Sequence, residues 1–452
     1  MENFFPKKGS KIAVAMSGGV DSAAAAKLLC EMGYDVVGFW IYLKEEQVGN
    51  KSFGNTNFAS VFKSPANRVN LSIKLAAQGC KRKNAQQNCI SFIQAKGHIL
   101  PEGLNNAVET SEFLHIPFYI VDLRQEFKKW VMDEFVRMYE KGQTPNPCVF
   151  CNRSIKFDLA FQWATQALKV DYMATGHYAR IARETPNSKL QTPKAKIKSY
   201  LLQAKDKSKD QSYFLYAIDK KILDKLVFPL GTFLKEDVKK LAGKWHLPAT
   251  ESKESEDLCF TKDWQKFVKT HAKNIIKTSC KVVDKKGNEL GKGKSLIFYT
   301  TGQRVGFEMN PKFKNTKTPK YFVVRKEPKN NRLIVGSKKE AIVKEFLLTD
   351  LNWLAEPKAD MVKVWVKVRS TGKMSKARVK KENRVLEFKS LRVLGEEKNI
   401  KQKWKVVLEK SEPGVAPGQA GVMYKKLKVK SEKLKVKEGE WVVIGGGKIY
   451  ET

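Results

Sequence analysis

The run Lys11-Ile12-Ala13-Val14-Ala15-Met16-Ser17-Gly18-Gly19-Val20-Asp21-Ser22, followed by the alanine-rich stretch 23–29, decides how this chain begins to fold. Residues 11–16 are short, apolar and β-tolerant, as a buried parallel strand requires, whereas 23–29 has the composition of a helix. A tight turn has to join them. Gly18 and Gly19 supply one in which no side chain holds an anion away from the backbone. Ser17, Ser22 and the amides at the helix start can donate to such an anion, with the helix dipole behind them. Asp21 would repel a bare phosphate, so its presence points to a magnesium ion beside a polyphosphate or to a helix cap. Neither GxxxxGK(S/T) nor GxGxxG occurs, so the two commonest glycine-rich phosphate loops are excluded. SGG alone also fits a plain glycine turn; six matching positions between strand and helix favour a nucleotide loop.

Working outward, residues 34–42 read as a second strand, and 44–100 as a polar, Asn-, Lys- and Ser-rich insertion carrying Cys80 and Cys89. A helix is expected near 104–114, a strand over 118–121 and a helix over about 126–141. The prolines of Gly142-Gln143-Thr144-Pro145-Asn146-Pro147-Cys148-Val149-Phe150-Cys151-Asn152 are expected to forbid regular structure there. A helix over about 154–168 and a strand over 172–175, ending in Gly176-His177-Tyr178, complete the pattern of a doubly wound α/β sheet. After 218 the pattern turns to short helices and loops. From about 305 it alternates, as in Val362-Lys363-Val364-Trp365-Val366-Lys367-Val368, the mark of a small antiparallel barrel. The expected organisation is a doubly wound parallel-sheet domain over 1–218 with an atypical insertion at about 44–100, a small central α+β domain over 219–304, and a C-terminal antiparallel β-barrel over 305–452. No internal repeat is evident.

Lysine and arginine number 85 against 47 aspartates and glutamates, a formal net charge of +38. An excess of that sign favours a polyanionic partner; a generally lysine-rich composition accounts for it as well. The run Lys425-Lys426-Leu427-Lys428-Val429-Lys430 alternates like an exposed strand face. No run of about 18 apolar residues exists and residues 1–10 lack an apolar signal region, so a cytoplasmic protein without a membrane segment is expected. Seven cysteines, an odd number in such a chain, argue against a disulfide scaffold and turn attention to thiols.

Cys148 and Cys151 form a CxxC in the proline-rich loop, and Cys259 stands in Glu256-Asp257-Leu258-Cys259-Phe260. A helix expected to begin near Ser154, with Arg153 and Lys156, would lower the pKa of Cys151 and make it nucleophilic. Structural zinc is a second reading, although there is no second CxxC and the five histidines are scattered; isolated structural cysteines are a third. His177 follows a strand end where α/β sheets place ligand loops, yet a lone histidine is often structural. Lys209-Asp210-Gln211-Ser212-Tyr213-Phe214 mixes donors and aromatics in the manner of a phosphate or base contact, and would equally suit a polar loop.

Together these residues resemble the tRNA-specific 2-thiouridylase family of PP-loop enzymes. The resemblance runs collinearly through Ala15 to Ser22, GQTPNPCVFCNRSIKF at 142–157, ATGHY at 174–178, KDQSYFLY at 209–216, DLCF at 257–260, YTTGQRVG at 299–306, PGQA at 417–420 and IGGGKI at 444–449. It implies that ATP, held with magnesium by Ala15, Met16, Ser17, Gly18, Gly19, Val20, Asp21 and Ser22 and contacted at Ile41 and Gly176, adenylates the C2 oxygen of a tRNA wobble uridine. AMP is a far better leaving group than a carbonyl oxygen. Cys259 then looks like the persulfide carrier and Cys151 like the thiol that takes up the remaining sulfur as a disulfide. Asn146, Pro147 and Cys148 align with the loop that meets the flipped-out base. His177, Lys209, Asp210, Gln211, Arg369, Ser370 and Gln419 align with positions of tRNA contact, and the central domain with a tRNA-binding linker. A persulfide-donating sulfur carrier or cysteine desulfurase is the implied second partner.

Three departures matter. Many relatives carry Asp where this chain has Cys148, so Cys148, Cys151 and Cys259 could instead hold an iron-sulfur cluster with an open iron for sulfide. The family commonly has basic or aromatic residues where this chain has Ser370-Thr371, and the segment 44–100 matches no family pattern. Two other functions remain open at this stage. A PP-loop ligase without sulfur chemistry would not need Cys151 and Cys259, and a non-catalytic tRNA-binding protein would not need SGGVDS together with both thiols.

Overall fold

The computed structural model describes residues 4–44, 47–48, 51–52, 102–184, 198–251, 258–272, 279–313, 320–357, 359–382, 402–427 and 439–451. Most of the expected insertion, with Cys80 and Cys89, lies outside these residues, as do Asp257 of the DLCF motif and Lys428 to Lys430. Two compact units make up the chain: Met1–Val131, Phe150–Phe260 and Lys426–Val442 in one, Met132–Val149, Thr261–Lys425 and Val443–Thr452 in the other. Among the described residues no helix is long and apolar enough to cross a membrane.

The first unit is built on a parallel sheet. Strand β1 (Lys11–Ala15) is followed by α1 (Val20–Glu31), β2 (Asp35–Tyr42), α2 (Glu102–Phe113), β3 (Phe118–Asp122), β4 (Tyr172–Thr175), the hairpin β5 (Ala179–Arg183) and β6 (Ser199–Gln203), and β7 (Leu226–Val227). Its order is β3-β2-β1-β4-β7. Ile12, Ala13 and Val14 are fully buried, which explains why β1 carries no polar residue at its centre. Ala15 is level with Phe39 of β2 on one side and Thr175 of β4 on the other, so the ends of these strands line up. Successive strands add to one side of β1 and then to the other, so the order reverses between β1 and β4. In an open α/β sheet the crevice beyond the strand ends at that reversal is where ligands bind. Ala23, Ala24 and Ala25 let α1 pack closely against Val238 and Ala242 of α3 (Lys235–Lys244), with Tyr178 and Leu230 in the same cluster.

One expectation is corrected by the helix that carries the thiols. The proline-rich stretch does not stay irregular to residue 152: helix begins at Pro147 and runs through Pro147–Phe150 into Cys151–Ala160, kinks at Phe157 (φ −101°, ψ 15°), and goes on through Phe161–Ala167. Proline is favoured at a first helical position, where its fixed φ fits and its missing N–H has no partner to lose. Cys148 therefore lies in the first turn and Cys151 one turn further in. Ser154 lies inside this helix, so no helix start there faces Cys151.

In the second unit, helix Asp133–Glu140 packs on α4 (Trp264–His271) through Tyr139 stacked on Trp264 at 4.8 Å and Phe135 against Phe267 at 6.3 Å. A six-stranded sheet follows, from β8 (Cys280–Val283), β9 (Glu289–Gly293), β10 (Arg304–Val305), β11 (Glu308–Met309), β12 (Tyr321–Glu327) and β13 (Arg332–Gly336), taking strands from both sides of residue 304. Cys280, Val282, Leu290, Leu296, Tyr299, Val323, Leu333 and Val335 form its core. The last strands are β14 (Ile342–Trp353), β15 (Met361–Lys367), β16 (Ser375–Lys381), β17 (Trp404–Pro413), β18 (Ala420–Lys426) and β19 (Trp441–Glu451). They pair in the order β14-β17-β16-β15-β18-β19, and β19 returns to β14 through Leu348 opposite Ile449, closing an antiparallel barrel. Along β16, Ala377 and Val379 are buried while Lys376, Arg378 and Lys380 are exposed, the alternation of a strand with one wet face.

Candidate active site

The glycine loop lies at the reversal of the parallel sheet. The Met16 amide donates to Phe39 O at 2.8 Å, which ties the loop's first residue to β2. The Ser17 amide donates to Ser22 Oγ at 3.1 Å, and that hydroxyl donates to Gly19 O at 2.9 Å, so Ser22 staples the turn shut. Gly18 has φ +75°, and a Cβ there would fall 1.9 Å from Gly103 O at the start of α2. The loop is thus backed by a second helix, with Asn106 Nδ2 donating to Gly18 O at 3.3 Å. Met16, Gly18, Val20 and Ser22 are buried, Ala15 and Gly19 half-buried, and Ser17 exposed. Ile41, half-buried near the end of β2, is level with Val121 of β3. Across the crevice a Cβ on Gly176 would lie 2.9 Å from both Asp21 C and Ser22 N, so only glycine lets the loop after β4 approach the start of α1 this closely.

The Asp21 carboxylate is held by residues that sequence reasoning missed. Lys235 Nζ donates to both of its oxygens at 2.7 Å, and Tyr178 Oη donates to Oδ1 at 2.8 Å. Tyr178 stood inside the ATGHY motif without a role, and Lys235 carried no signal among so many lysines.

His177 is not presented as a free base. Its Nδ1 lies 2.6 Å from Thr175 Oγ1 and its ring packs against Phe157 and Phe228. Burial, with Lys156 adding to it, holds its pKa well below the ordinary histidine value, so the ring is neutral. Asp210 and Gln211 spend their side chains inside the chain. Asp210 accepts from the Ala204 amide at 3.0 Å, Gln203 Nε2 at 2.8 Å and Ser212 Oγ at 3.0 Å. Gln211 Oε1 accepts from the Tyr178 amide at 2.8 Å, and its own amide donates to Tyr178 O at 2.8 Å. Gln211 therefore positions the loop after β4 and Asp210 ties together the segment 203–212, while Lys209 is exposed.

Among the described cysteines, Cys148 and Cys259 are exposed, Cys30 is half-buried, and Cys151 and Cys280 are buried. Cys151 is buried; its neighbour Asn152 donates to Phe214 O at 3.1 Å and keeps Oδ1 buried without a hydrogen-bond partner. Cys259 reaches the surface, yet crowding by neighbouring atoms pushes its thiol pKa up, with Lys156 and Lys44 pulling the other way. Lys156, on the helix of Cys151, thus acts on both His177 and Cys259 and ties these three elements into one neighbourhood. Among the described residues no three His, Cys, Asp or Glu side chains are grouped so as to hold a metal ion.

In the second unit, Asn146 and Pro147 are buried and Cys148 is exposed. Gln419 Nε2 donates to Thr144 O at 3.2 Å and Pro145 O at 3.1 Å, and the Thr144 amide donates to Pro417 O at 2.8 Å. The PGQA turn therefore clamps the loop that leads to Cys148, and Gln419 acts as its brace. Arg369 is exposed in the turn after β15 and Ser370 half-buried beside it.

Family models match two stretches of this chain: the tRNA methyl transferase HUP domain over residues 10–88 and 75–263, and the tRNA methyl transferase PRC-barrel domain over 265–337. A tRNA-specific 2-thiouridylase MnmA of Caldicellulosiruptor saccharolyticus is 32% identical over 82% of this chain and 87% of its own length. Another, from Rickettsia conorii, is 33% identical over 92% of this chain and 93% of its own. Among solved structures, the U34-tRNA thiolase NcsA from Methanococcus maripaludis with its [4Fe-4S] cluster aligns at 16% identity and a TM-score of 0.29, over 60% of this chain and 67% of that one. With a third of its residues shared over nearly its whole length, this chain belongs to the tRNA-specific 2-thiouridylase family.

Proposed function

We propose that this chain thiolates the wobble uridine of tRNA in two chemical stages, with ATP at the loop 15–22 and sulfur carried by Cys259 and Cys151. It is an ATP-dependent tRNA-uridine 2-sulfurtransferase. The observation that carries the reading is the position of SGGVDS at the sheet reversal, with Gly176 packed on the helix start across the crevice. A polyphosphate binds there by backbone amides and helix dipole.

In the first stage the C2 oxygen of uridine attacks the α-phosphorus of ATP and pyrophosphate leaves, which turns that oxygen into part of a good leaving group. Ser17 to Ser22 hold the polyphosphate, and Ile41 and Gly176 border the nucleotide. Magnesium binds through one or two carboxylates plus phosphate oxygens, and Asp21 with the Ser17 and Ser22 hydroxyls is a donor set of that kind. When bound it would draw charge off the leaving pyrophosphate. In the second stage the terminal sulfur of a Cys259 persulfide attacks C2 and AMP departs. The Cys151 thiolate then attacks the Cys259 sulfur, the S–S bond to the base breaks, and thiouridine is released with a Cys151–Cys259 disulfide left behind. A reductant resets the pair, and a persulfide donor reloads Cys259. Asn146, Pro147 and Cys148 face the target base; Lys209, Arg369 and Ser370 touch the tRNA; His177, Asp210, Gln211 and Gln419 shape its seat. A tRNA substrate agrees with a cytoplasmic location and with the +38 charge.

The test incubates the protein with a tRNA transcript bearing a wobble uridine, ATP, magnesium and a persulfide donor. Pyrophosphate release and a thiolated nucleoside retarded on an organomercurial gel are the expected products, both dependent on ATP. Pyrophosphate without thiolation from a persulfide-loaded enzyme would refute the sulfur stage, and neither product would refute the reading.

A further inference from the structure

Asp21 stands in the first turn of α1, where an uncompensated carboxylate would occupy the same positive field that a polyphosphate needs. The structure shows what compensates it. Lys235 opens α3, more than two hundred residues away in sequence, and is buried to 8% exposure. Its ammonium bonds both Asp21 oxygens at 2.7 Å and lies 5.7 Å from the Tyr178 ring centre. Its own backbone is pinned, since the Lys235 amide donates to Asp206 Oδ2 at 3.0 Å. Tyr178, the third party, is pinned in turn by Gln211 at both its amide and its carbonyl. Four loops are thereby locked around one carboxylate at the mouth of the crevice. Asp21 remains about one-third exposed, so it keeps an open side toward an incoming ligand.

We propose that Lys235 is a positioning residue for ATP: it neutralises Asp21 and, with Tyr178, draws the carboxylate to the α3 side of the loop, so that the polyphosphate meets a loop without net negative charge. This rests on ATP binding at residues 15–22. The ion pair at a merely structural contact would affect unfolding and leave nucleotide affinity alone; a counter-charge affects affinity with a sign set by what remains at position 21.

The experiment measures ATP binding by equilibrium dialysis, with magnesium and again in EDTA, for wild type, Lys235→Met, Lys235→Arg, Asp21→Asn and the Asp21→Asn/Lys235→Met double variant. Lys235→Met is expected to weaken ATP binding at least tenfold in EDTA, because Asp21 is left charged at the phosphate site, and by less with magnesium, where the cation answers that charge. In EDTA the double variant, neutral at both positions, is expected to recover to within about threefold of wild type, as is Lys235→Arg. If Lys235→Met does not fold, the double variant and Lys235→Arg still carry the comparison. Wild-type affinity in Lys235→Met, or a double variant as weak as Lys235→Met, overturns the proposal. Failure of wild type to bind ATP would overturn the nucleotide reading itself, a separate result.

Discussion

The two glycines of the loop make different demands, and exchanging each for alanine separates fold from ligand. Gly18 sits at φ +75°, where an L-residue costs roughly 1–2 kcal/mol. Its new Cβ would lie 1.9 Å from Gly103 O and 2.5 Å from Gly103 C, so Gly103 must withdraw well over an ångström to reach ordinary contact. It has little room, since a Cβ on Gly103 would itself stand 2.9 Å from the Trp40 ring and 3.2 Å from Ser17 O. Forcing an extra methyl into such packing costs about 1–3 kcal/mol, so Gly18→Ala is expected to lose about 2–5 kcal/mol of stability. Gly19 has φ −90° and would meet only Ser17 Oγ, at 3.7 Å. Gly19→Ala is expected to lose no more than about 1 kcal/mol, chiefly because alanine is a poorer helix cap than glycine. It should nevertheless weaken ATP binding by roughly tenfold, because the methyl stands where phosphate oxygens approach the backbone. Urea unfolding followed by circular dichroism measures the first quantity and equilibrium dialysis the second. A wild-type urea midpoint for Gly18→Ala, or equal losses of stability in the two variants, would refute the packing of α2 on the loop.

Three further outcomes are expected. Cys151→Ser should stop the reaction with tRNA joined to Cys259 by a disulfide to the transferred sulfur, seen as a thiol-reversible band shift. Cys259→Ser should give no such band while pyrophosphate release continues in both, and a shift in Cys259→Ser would reverse the assignment. Alkylation of Cys259 should rise with pH along a curve displaced above that of an ordinary thiol, since crowding raises its pKa. Removing the positive charge in Lys156→Ala should displace the curve further upward, and a downward displacement would contradict the electrostatics. Gln419→Ala loses the two hydrogen bonds that brace Thr144 and Pro145, together about 1–3 kcal/mol. KM for tRNA should therefore rise roughly five- to hundredfold with KM for ATP unchanged; a matching change in KM for ATP would show that this brace does more than hold the loop.

Features read at short range in sequence held in the structure. The apolar strand, glycine turn and alanine helix at 11–29 form because strand and helix preferences and the φ of Gly18 are local properties. Alternation along β16 exposes Lys376, Arg378 and Lys380 and buries Ala377 and Val379 for the same reason. The helix start at 147 is not legible in the sequence, because proline breaks a helix anywhere but its first turn and the residues ahead of it do not say which case applies. Asp210, Gln211 and Gln419 looked like donors for a ligand, yet the fold spends their side chains on the chain itself. Only the packed partners could reveal that, since a polar side chain has the same sequence signature in either role.

By itself the sequence determined that a phosphate loop joins strand to helix at 15–22, that Cys151 and Cys259 stand in stretches resembling motifs of the 2-thiouridylase family, and that alternating strands follow from about 305 onward. The tertiary structure alone decided that the loop opens at the reversal between β1 and β4 and that the Asp21 charge is answered by Lys235 and Tyr178. Local propensity acts over a few residues, whereas an ion pair between positions 21 and 235 exists only once two helices have packed. That packing is set by the small side chains of α1, whose alanines reveal that something comes close without naming what.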